Sequence, residues 1–365
     1  MKKSIIFCVI IISVGFIFLK NYNHKGRDDM SYKMISEENK HEGTWLIWPH
    51  KYAYGDEYKD EVEEIWVKIT QALHLQERVH IIAYNEKEKI RITNLLDTNG
   101  VNMNSIDFTI AKSNDFWVRD TGPIFVKDEN GCFIIADFKF DGWGKKAKYR
   151  HDDEIPKKVS TEKNIKIIDI NDFVLEGGSI EIDGNGTFMG TKSSIISKNR
   201  NEKLTIEKAE EHLSKYLGVK NFIWLDGVVD EDITDAHIDG IARFVDDKRI
   251  LTVSREEFGE LYEGINMDDY DKINNAKNIN GKQYEIIEMP LTKSNPRGLE
   301  YKGSYLNYYI GNSVVLLPVY NNENDKVAID IISKLYRERR VIPIDVNSLY
   351  KYGGMIHCIT QQQPN

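Results

Sequence analysis

The chain has 365 residues, 41% of them apolar and 29% charged, with 25 glycines and 8 prolines. That composition is globular and excludes a collagen-like, low-complexity or mainly disordered chain. The formal charge of −9 argues against a nucleic-acid partner, because an acidic surface repels phosphate, and the three cysteines, Cys8, Cys132 and Cys358, are too few and too scattered for a disulfide framework.

Met1-Lys2-Lys3 precedes an almost unbroken apolar run from Ile5 to Leu19, closed by Lys20. The run is shorter than the roughly 20 residues of a free-standing span. It reads as a signal peptide or signal anchor over residues 1–20, which predicts an exported chain whose N-terminal segment engages the membrane. Residues 21–40 are rich in lysine, asparagine and acids and predict a polar tether. No proline- or serine-rich linker divides residues 41–365, which are expected to form one domain.

Within that domain, helical and strand patterns alternate. Val62, Ile65, Ile69 and Leu73 predict a helix before the strand-like run Val79–Tyr84, and a further helix over roughly 86–98 stops at Gly100. Thr205 is a predicted N-cap for a stripe of Ile206, Ala209, Leu213 and Leu217, with Gly218 as the stop and Phe222–Leu225 as the next strand. Asp325 is expected to cap a helix bearing Val327, Ile331 and Leu335, before Val341–Ile344. The alternation predicts an α/β fold. Clusters of Gly, polar and strand-forming residues recur near Trp48, Asp120, Glu176, His237, Asn307 and Cys358. Their spacing predicts a supersecondary unit of roughly 60 residues used five times around a common centre.

Four segments carry residues fit for chemistry. Phe116–Pro123 places Arg119-Asp120 at a predicted strand end, where Asp120 can accept two N–H bonds from a planar cation; a structural Arg-Asp pair is the alternative. Glu176-Gly177-Gly178 sets a carboxylate before two residues that permit close backbone approach, and Asp183–Gly186 reads as a hairpin turn. In an extended Thr234–Gly240, His237 and Asp239 would share a face. A metal site is the competing reading there, without an accompanying His-x-x-x-His or Cys-x-x-Cys pattern. Tyr352–Thr360 carries a glycine pair, Gly353-Gly354, leading into Met-Ile-His-Cys. Cys358 is either a buried inert thiol or, with a distant His, part of a Cys/His nucleophilic site.

Taken together, Trp117-x-Arg119-Asp120-Thr121-Gly122-Pro123, Glu176-Gly177-Gly178, His237-x-Asp239-Gly240-x-x-Arg243-Phe244, Ser304-Tyr305-x-Asn307-x-Tyr309-Ile310 and Gly353-Gly354-x-Ile356-His357-Cys358-Ile359-Thr360 resemble the agmatine deiminase and bacterial-type (Porphyromonas-type) peptidylarginine deiminase family. The resemblance covers about residues 41–364 in consistent order. It implies the pentein fold, a five-bladed α/β propeller of pseudo-fivefold repeated ββαβ-type units, and hydrolytic deimination of a guanidino group without a cofactor. It further implies Cys358 as nucleophile, His237 as general acid/base, Asp120 and Asp239 as guanidinium-binding carboxylates, Glu176 as an additional acid, and Trp117 and Gly354 beside the substrate. The implied partner is a small cationic guanidine, or arginine in a peptide, with self-association left open.

Two positions depart from the agmatine deiminase pattern. Ile233 stands where that pattern has an acid, in a region that helps form the amine end of the substrate pocket, and Tyr352-Gly353-Gly354-Met355 replaces Gly-Gly-Gly-Asn. Losing a buried carboxylate weakens recognition of an ammonium by an amount on the order of 1–3 kcal/mol. An exported arginine or peptidyl-arginine deiminase is therefore the second reading. An inactive guanidine-binding surface protein is a third, though it would have no need of the thiol.

Overall fold

The structure, a computed structural model, describes residues 32–365 apart from Arg297. The apolar run 1–20, Cys8 with it, and most of the polar segment 21–40 lie outside the described residues. Among the described residues no helix is long and apolar enough to cross a membrane.

Among the described residues, seventeen strands form five sheets. The first contains Lys33–Met34, Ile124–Lys127, Phe133–Lys139 and Ile167–Val174 in that order. The second contains Glu181–Ile182, Thr187–Thr191 and Asn221–Leu225, and the third Ala242–Phe244, Arg249–Val253 and Glu285–Met289. The fourth contains Tyr309–Ile310, Val314–Val319 and Arg340–Asp345. The fifth takes Gln361–Pro364 from the end of the chain and pairs it with His41–Ile47, followed by Arg78–Ala83 and Ile106–Ile110.

One pattern recurs in all five sheets: an antiparallel pair, then a third strand parallel to its neighbour. A parallel neighbour needs a crossover of a dozen or more residues. The helices Ile155–Lys163, Ile206–Leu217, Met267–Asn274, Asp325–Leu335 and Asp56–Leu73 supply it in turn. Covered on both faces, the central strand Val314–Val319 is buried at every position, so its sequence is a continuous apolar run rather than an alternating one. Pro343, which cannot donate to a ladder, lies in a strand that pairs on one side only.

Local chemistry explains the helix ends. Thr205 accepts the N–H of Lys208, and Gly218 closes the helix in the left-handed conformation, as the stripe predicts. Asn85 caps Glu86–Thr98 in the same way. The Asp325 helix differs from expectation. Val327 is exposed, Ile331 and Leu335 only half-buried, and Ala328 and Ile332 form the inner face. Asp325 turns its carboxylate back onto the N–H groups of Tyr320 and Asn322 and the Tyr305 hydroxyl, which fixes a helical phase one position on.

Three further expectations change. The segment from Tyr32 to Lys40 is not a tether: Lys33–Met34 pairs with Val126–Lys127, and the Glu37 carboxylate is buried in a nest of cations. The folded body therefore begins before residue 41. Cys132, which its place before the apolar run Phe133-Ile134-Ile135-Ala136 leads one to expect in a strand, lies exposed in the turn before it. Trp48, grouped with the recurring polar clusters, sits instead at the far end of a central strand, buried and bonded to Glu63 Oε1.

The other five clusters share one place. Val118–Thr121, Gly177–Ser179, Ile238–Gly240, Asn307 and His357–Ile359 each stand just before the strand that opens the recurring antiparallel-then-parallel pattern of a sheet. That shared position gives physical content to the roughly 60-residue spacing.

Candidate active site

None of the catalytic candidates lies on a regular strand. Asp120 is on a one-turn helix, Val118–Thr121, rather than at a strand end, and the segment expected to be extended is a 3-10 turn, Ile238–Gly240, with His237 at its start and Asp239 within it. Cys358 is in a 3-10 turn, His357–Ile359. Such turns have irregular side-chain directions, and here several converge. Arg119 and Asp120 do not form the structural pair that was the alternative: Arg119 Nη2 faces Glu37 Oε2 at 3.2 Å, whereas Asp120 faces His237.

His237 stands between two carboxylates. Its Nε2 is 3.3 Å from Glu176 Oε2 and its Nδ1 is 3.7 Å from Asp120 Oδ1. Burial disfavours its charge, but Asp120, Glu176 and Asp239 outweigh burial and raise its pKa to about 9, so the ring is an imidazolium at neutral pH. Asp120 is fixed by two donors: Gly178 N–H to Oδ1 and Trp143 Nε1–H to Oδ2, each at 2.9 Å. Each oxygen keeps a lone pair for a ligand. Burial raises its pKa, with Glu176 and Asp239 adding to the rise against His237 and Trp143.

The two glycines after Glu176 are required by proximity. A Cβ on Gly178 would lie 2.4 Å from His237 Nδ1, and one on Gly177 would lie 2.1 Å from the Arg119 carbonyl oxygen. Glu176 itself is fully buried. Burial raises its pKa, yet Arg200, bonded through Nε to Oε1 at 2.8 Å, and His237 reverse the shift and hold it ionised. Arg200 also reaches Asp235 Oδ2 at 2.9 Å, which anchors the loop leading into His237. That loop is strained, with Asp235 at φ 60° and Ala236 at φ 61°, conformations that favour glycine.

Across from His237 a second group forms. Asp239 Oδ2 accepts Asn307 Nδ2–H at 3.0 Å and faces His357 Nδ1 at 2.8 Å, while Oδ1 has no hydrogen-bond partner among the described residues. Burial raises the pKa of Asp239, but His357 leads the cations that lower it overall. Asn307 Oδ1 accepts the His357 N–H at 2.9 Å and lies 3.4 Å from Cys358 Sγ. Cys358 is only partly covered, and burial together with Asp239 and Asp120 pushes its thiol pKa well up. Trp117 packs against Gly354, where a Cβ would lie 2.4 Å from the ring.

Asp120, Glu176, His237, Asp239 and Cys358, with Trp117 and Gly354 beside them, are thus linked by direct contact or by their mutual fields. Trp143, Arg200, Asn307 and Glu37 complete the arrangement and were not assigned roles from sequence. The signal for Trp143 was its place between Gly142 and Gly144, which let it adopt φ 56° and aim its indole at Asp120. Ile233 is 39% exposed, and its neighbour Asp232 accepts the Ala236 N–H. The chemistry this offers is specific: an anionic hollow, open carboxylate lone pairs, one proton donor and one thiol. Among the described residues no cluster of three or more His, Cys, Asp or Glu is arranged to hold a metal ion.

Comparison with known proteins finds relatives over nearly the whole of the described chain. The model of the family described as Porphyromonas-type peptidyl-arginine deiminase matches residues 33–364. A Mycoplasma mycoides subsp. mycoides SC protein with a provisional agmatine deiminase assignment is 31% identical over 94% of this chain and 99% of its own. The Enterococcus faecalis agmatine deiminase structure superposes with a TM-score of 0.81 at 26% identity, covering 92% of this chain and 96% of that one. A Porphyromonas gingivalis structure, described provisionally as an arginine deiminase, gives 0.81 at 31% identity, covering 92% and 98%.

Proposed function

The chain belongs to the Porphyromonas-type peptidyl-arginine deiminase family and is a hydrolase of carbon–nitrogen bonds, and we propose that it deiminates a small guanidine of the agmatine type through a covalent intermediate on Cys358. The observation that carries this reading is the convergence of Asp120, Glu176, Asp239 and the imidazolium of His237 beside one accessible thiol.

A guanidinium is planar and cationic, and its carbon is a poor electrophile. Asp120 and Asp239 hold its nitrogens with charge-assisted hydrogen bonds and fix its plane. In the empty site the carboxylates keep Cys358 protonated. The bound cation offsets their field, so the thiol gives its proton to solvent water when substrate binds and takes one back when product leaves. The thiolate then adds to the guanidinium carbon to give a neutral tetrahedral adduct. His237 gives its proton to one –NH2 group, the C–N bond breaks, and ammonia leaves a thiouronium cation bonded to sulfur. Neutral His237 next takes a proton from water as the hydroxyl adds to that carbon. Breaking the C–S bond returns the thiolate and a protonated urea, which loses its proton to solvent, where the ammonia already released takes it up as ammonium, to give the ureido product. For agmatine the product is N-carbamoylputrescine. The electrons and protons balance within substrate, water and these side chains.

The five sheets, each built from the same strand pattern, with Gln361–Pro364 returning to pair with His41–Trp45, support a five-bladed propeller with the site on its axis. The lysine-led apolar run at the N-terminus supports an exported, membrane-associated enzyme. A second reading concerns the substrate tail. Exposed Ile233 offers no charge to a distal ammonium, which favours arginine, free or at a peptide end, with citrulline as product. Ammonia release by the full chain from agmatine, free arginine and an arginine peptide separates the two. The agmatine reading expects kcat/KM for agmatine to exceed the others by at least about tenfold, about 1.4 kcal/mol of discrimination. A reversed order would replace it with the second reading, and no release from any of the three would overturn deimination itself.

A further inference from the structure

Glu37 precedes the motif residues in the chain, yet its carboxylate is buried beneath them. Oε1 accepts the Ile310 N–H at 2.9 Å and faces Arg243 Nη2 at 3.4 Å, and Oε2 faces His357 Nε2 at 2.8 Å and Arg119 Nη2 at 3.2 Å. Each partner is a chain neighbour of a site residue. Arg119 precedes Asp120, His357 precedes Cys358, and Arg243 and Ile310 lie within one turn of Asp239 and Asn307. Burial would neutralise Glu37, but His357, Arg243 and Arg119 hold its pKa well below the usual range, so it stays charged.

His357 is the link upward. Its Nε2 meets Glu37 and its Nδ1 meets Asp239 Oδ2, both at 2.8 Å. Ionised carboxylates only accept hydrogen bonds, so a ring held by both must donate from both nitrogens. The cavity beside this contact, lined in part by Glu37, Glu181, Arg243 and His357, has a volume of about 20 Å³, room for a single water. Beside the two carboxylates, at most one water can therefore reach the ring.

We propose that Glu37 is a positioning residue for the deimination reaction: it holds His357 as a doubly donating ring against Asp239, and so fixes both the guanidinium-binding carboxylate and the turn that carries Cys358. The proposal rests on the functional reading above. It makes the segment before residue 41 part of the working site, although it contributes no group to the substrate.

The test uses the full chain as wild type, Glu37→Gln, His357→Gln and the double variant. Melting temperature, kcat, KM and the pH dependence of iodoacetamide alkylation at the Cys358 peptide are measured for each. A glutamine at 37 keeps the shape but cannot accept from His357, two arginines and a backbone N–H together. Each single variant is expected to lower kcat by about tenfold to a hundredfold with a smaller change in KM, as a misplaced reacting group does. Because Glu37 acts through His357, the double variant should lose no more than His357→Gln alone. Weakening the cation beside Asp239 leaves more of the Asp239 and Asp120 field on the thiol, so alkylation should shift to higher pH by at least about half a unit in each.

A double variant that loses the product of the two single effects would overturn the proposal. So would a Glu37→Gln enzyme with wild-type kcat and alkylation profile. If Glu37→Gln does not fold, His357→Gln decides alone, since Arg119, Arg243 and the Ile310 N–H still hold Glu37 there. A kcat within about twofold of wild type and an unshifted profile then reject the idea. Alkylation needs no substrate. An enzyme that releases no ammonia from any guanidine therefore sinks the functional reading, while the alkylation profiles still decide whether Glu37 positions the thiol.

Discussion

Cys358→Ala is expected to lower ammonia release by at least about 10⁴-fold, the scale of loss when a nucleophile is removed from a group that acts as a unit. The fold should survive. Cys358 is only partly covered, its sulfur makes one long contact to Asn307, and the turn it occupies is held by backbone bonds from His357 and Thr360. Removing a thiol that burial and two carboxylates keep protonated also removes an unfavourable site for charge, so the melting temperature should stay within a few degrees. The guanidine should still bind, because Asp120 and Asp239 are untouched, and calorimetry on the variant gives that affinity without turnover. Activity in this variant near that of wild type would mean that the thiol is a bystander.

The second large effect concerns His237. His237→Gln removes the proton donor for the leaving ammonia and is expected to cost about 10²–10⁴ in kcat. The wild-type pH profile should carry the signature of the same proton. His237 has its pKa raised to about 9, so its acid form is present below that value and lost above it. The thiol of Cys358 is raised well above its usual value, so the thiolate share grows about tenfold per pH unit through the neutral range. The product of these two fractions rises with pH up to about 9 and then levels, because each further gain in thiolate is matched by a loss of imidazolium. In His237→Gln the bend near 9 should disappear. The rise belongs to kcat/KM, which reports the enzyme before substrate binds, and a wild-type kcat/KM already flat between pH 6 and 8 would contradict the assignment of the two protons.

The sequence made much of this legible where the signal was local. The helix Ile206–Leu217 is bracketed by its own cap and stop, and the Glu-Gly-Gly and His-x-Asp-Gly motifs name residues that touch. What periodicity misjudged was phase and local form. The Asp325 helix turned one position because its first carboxylate serves the preceding turn, and the Asp120, His237 and Cys358 segments are turns because strands would have fixed their side chains on alternating faces. Long-range partners were beyond single-sequence reading. Nothing near Glu37 announces that it lies under Cys358, and its polar surroundings made it resemble a tether. Trp143 and Arg200 are closer in the chain, 23 and 24 positions from the Asp120 and Glu176 they bond, but each contact spans a strand pair of its own sheet that periodicity does not read.

The mechanism turns on one bond, between the guanidine carbon and the sulfur of Cys358. Wild-type enzyme turning over its preferred guanidine, quenched in acid at short times and digested, reveals that bond by peptide mass. The mechanism predicts a Cys358 peptide heavier by the mass of the substrate less one ammonia, appearing with the first ammonia released and absent from Cys358→Ala. A Cys358 peptide unmodified at every quench time, while ammonia and ureido product accumulate together, would contradict it.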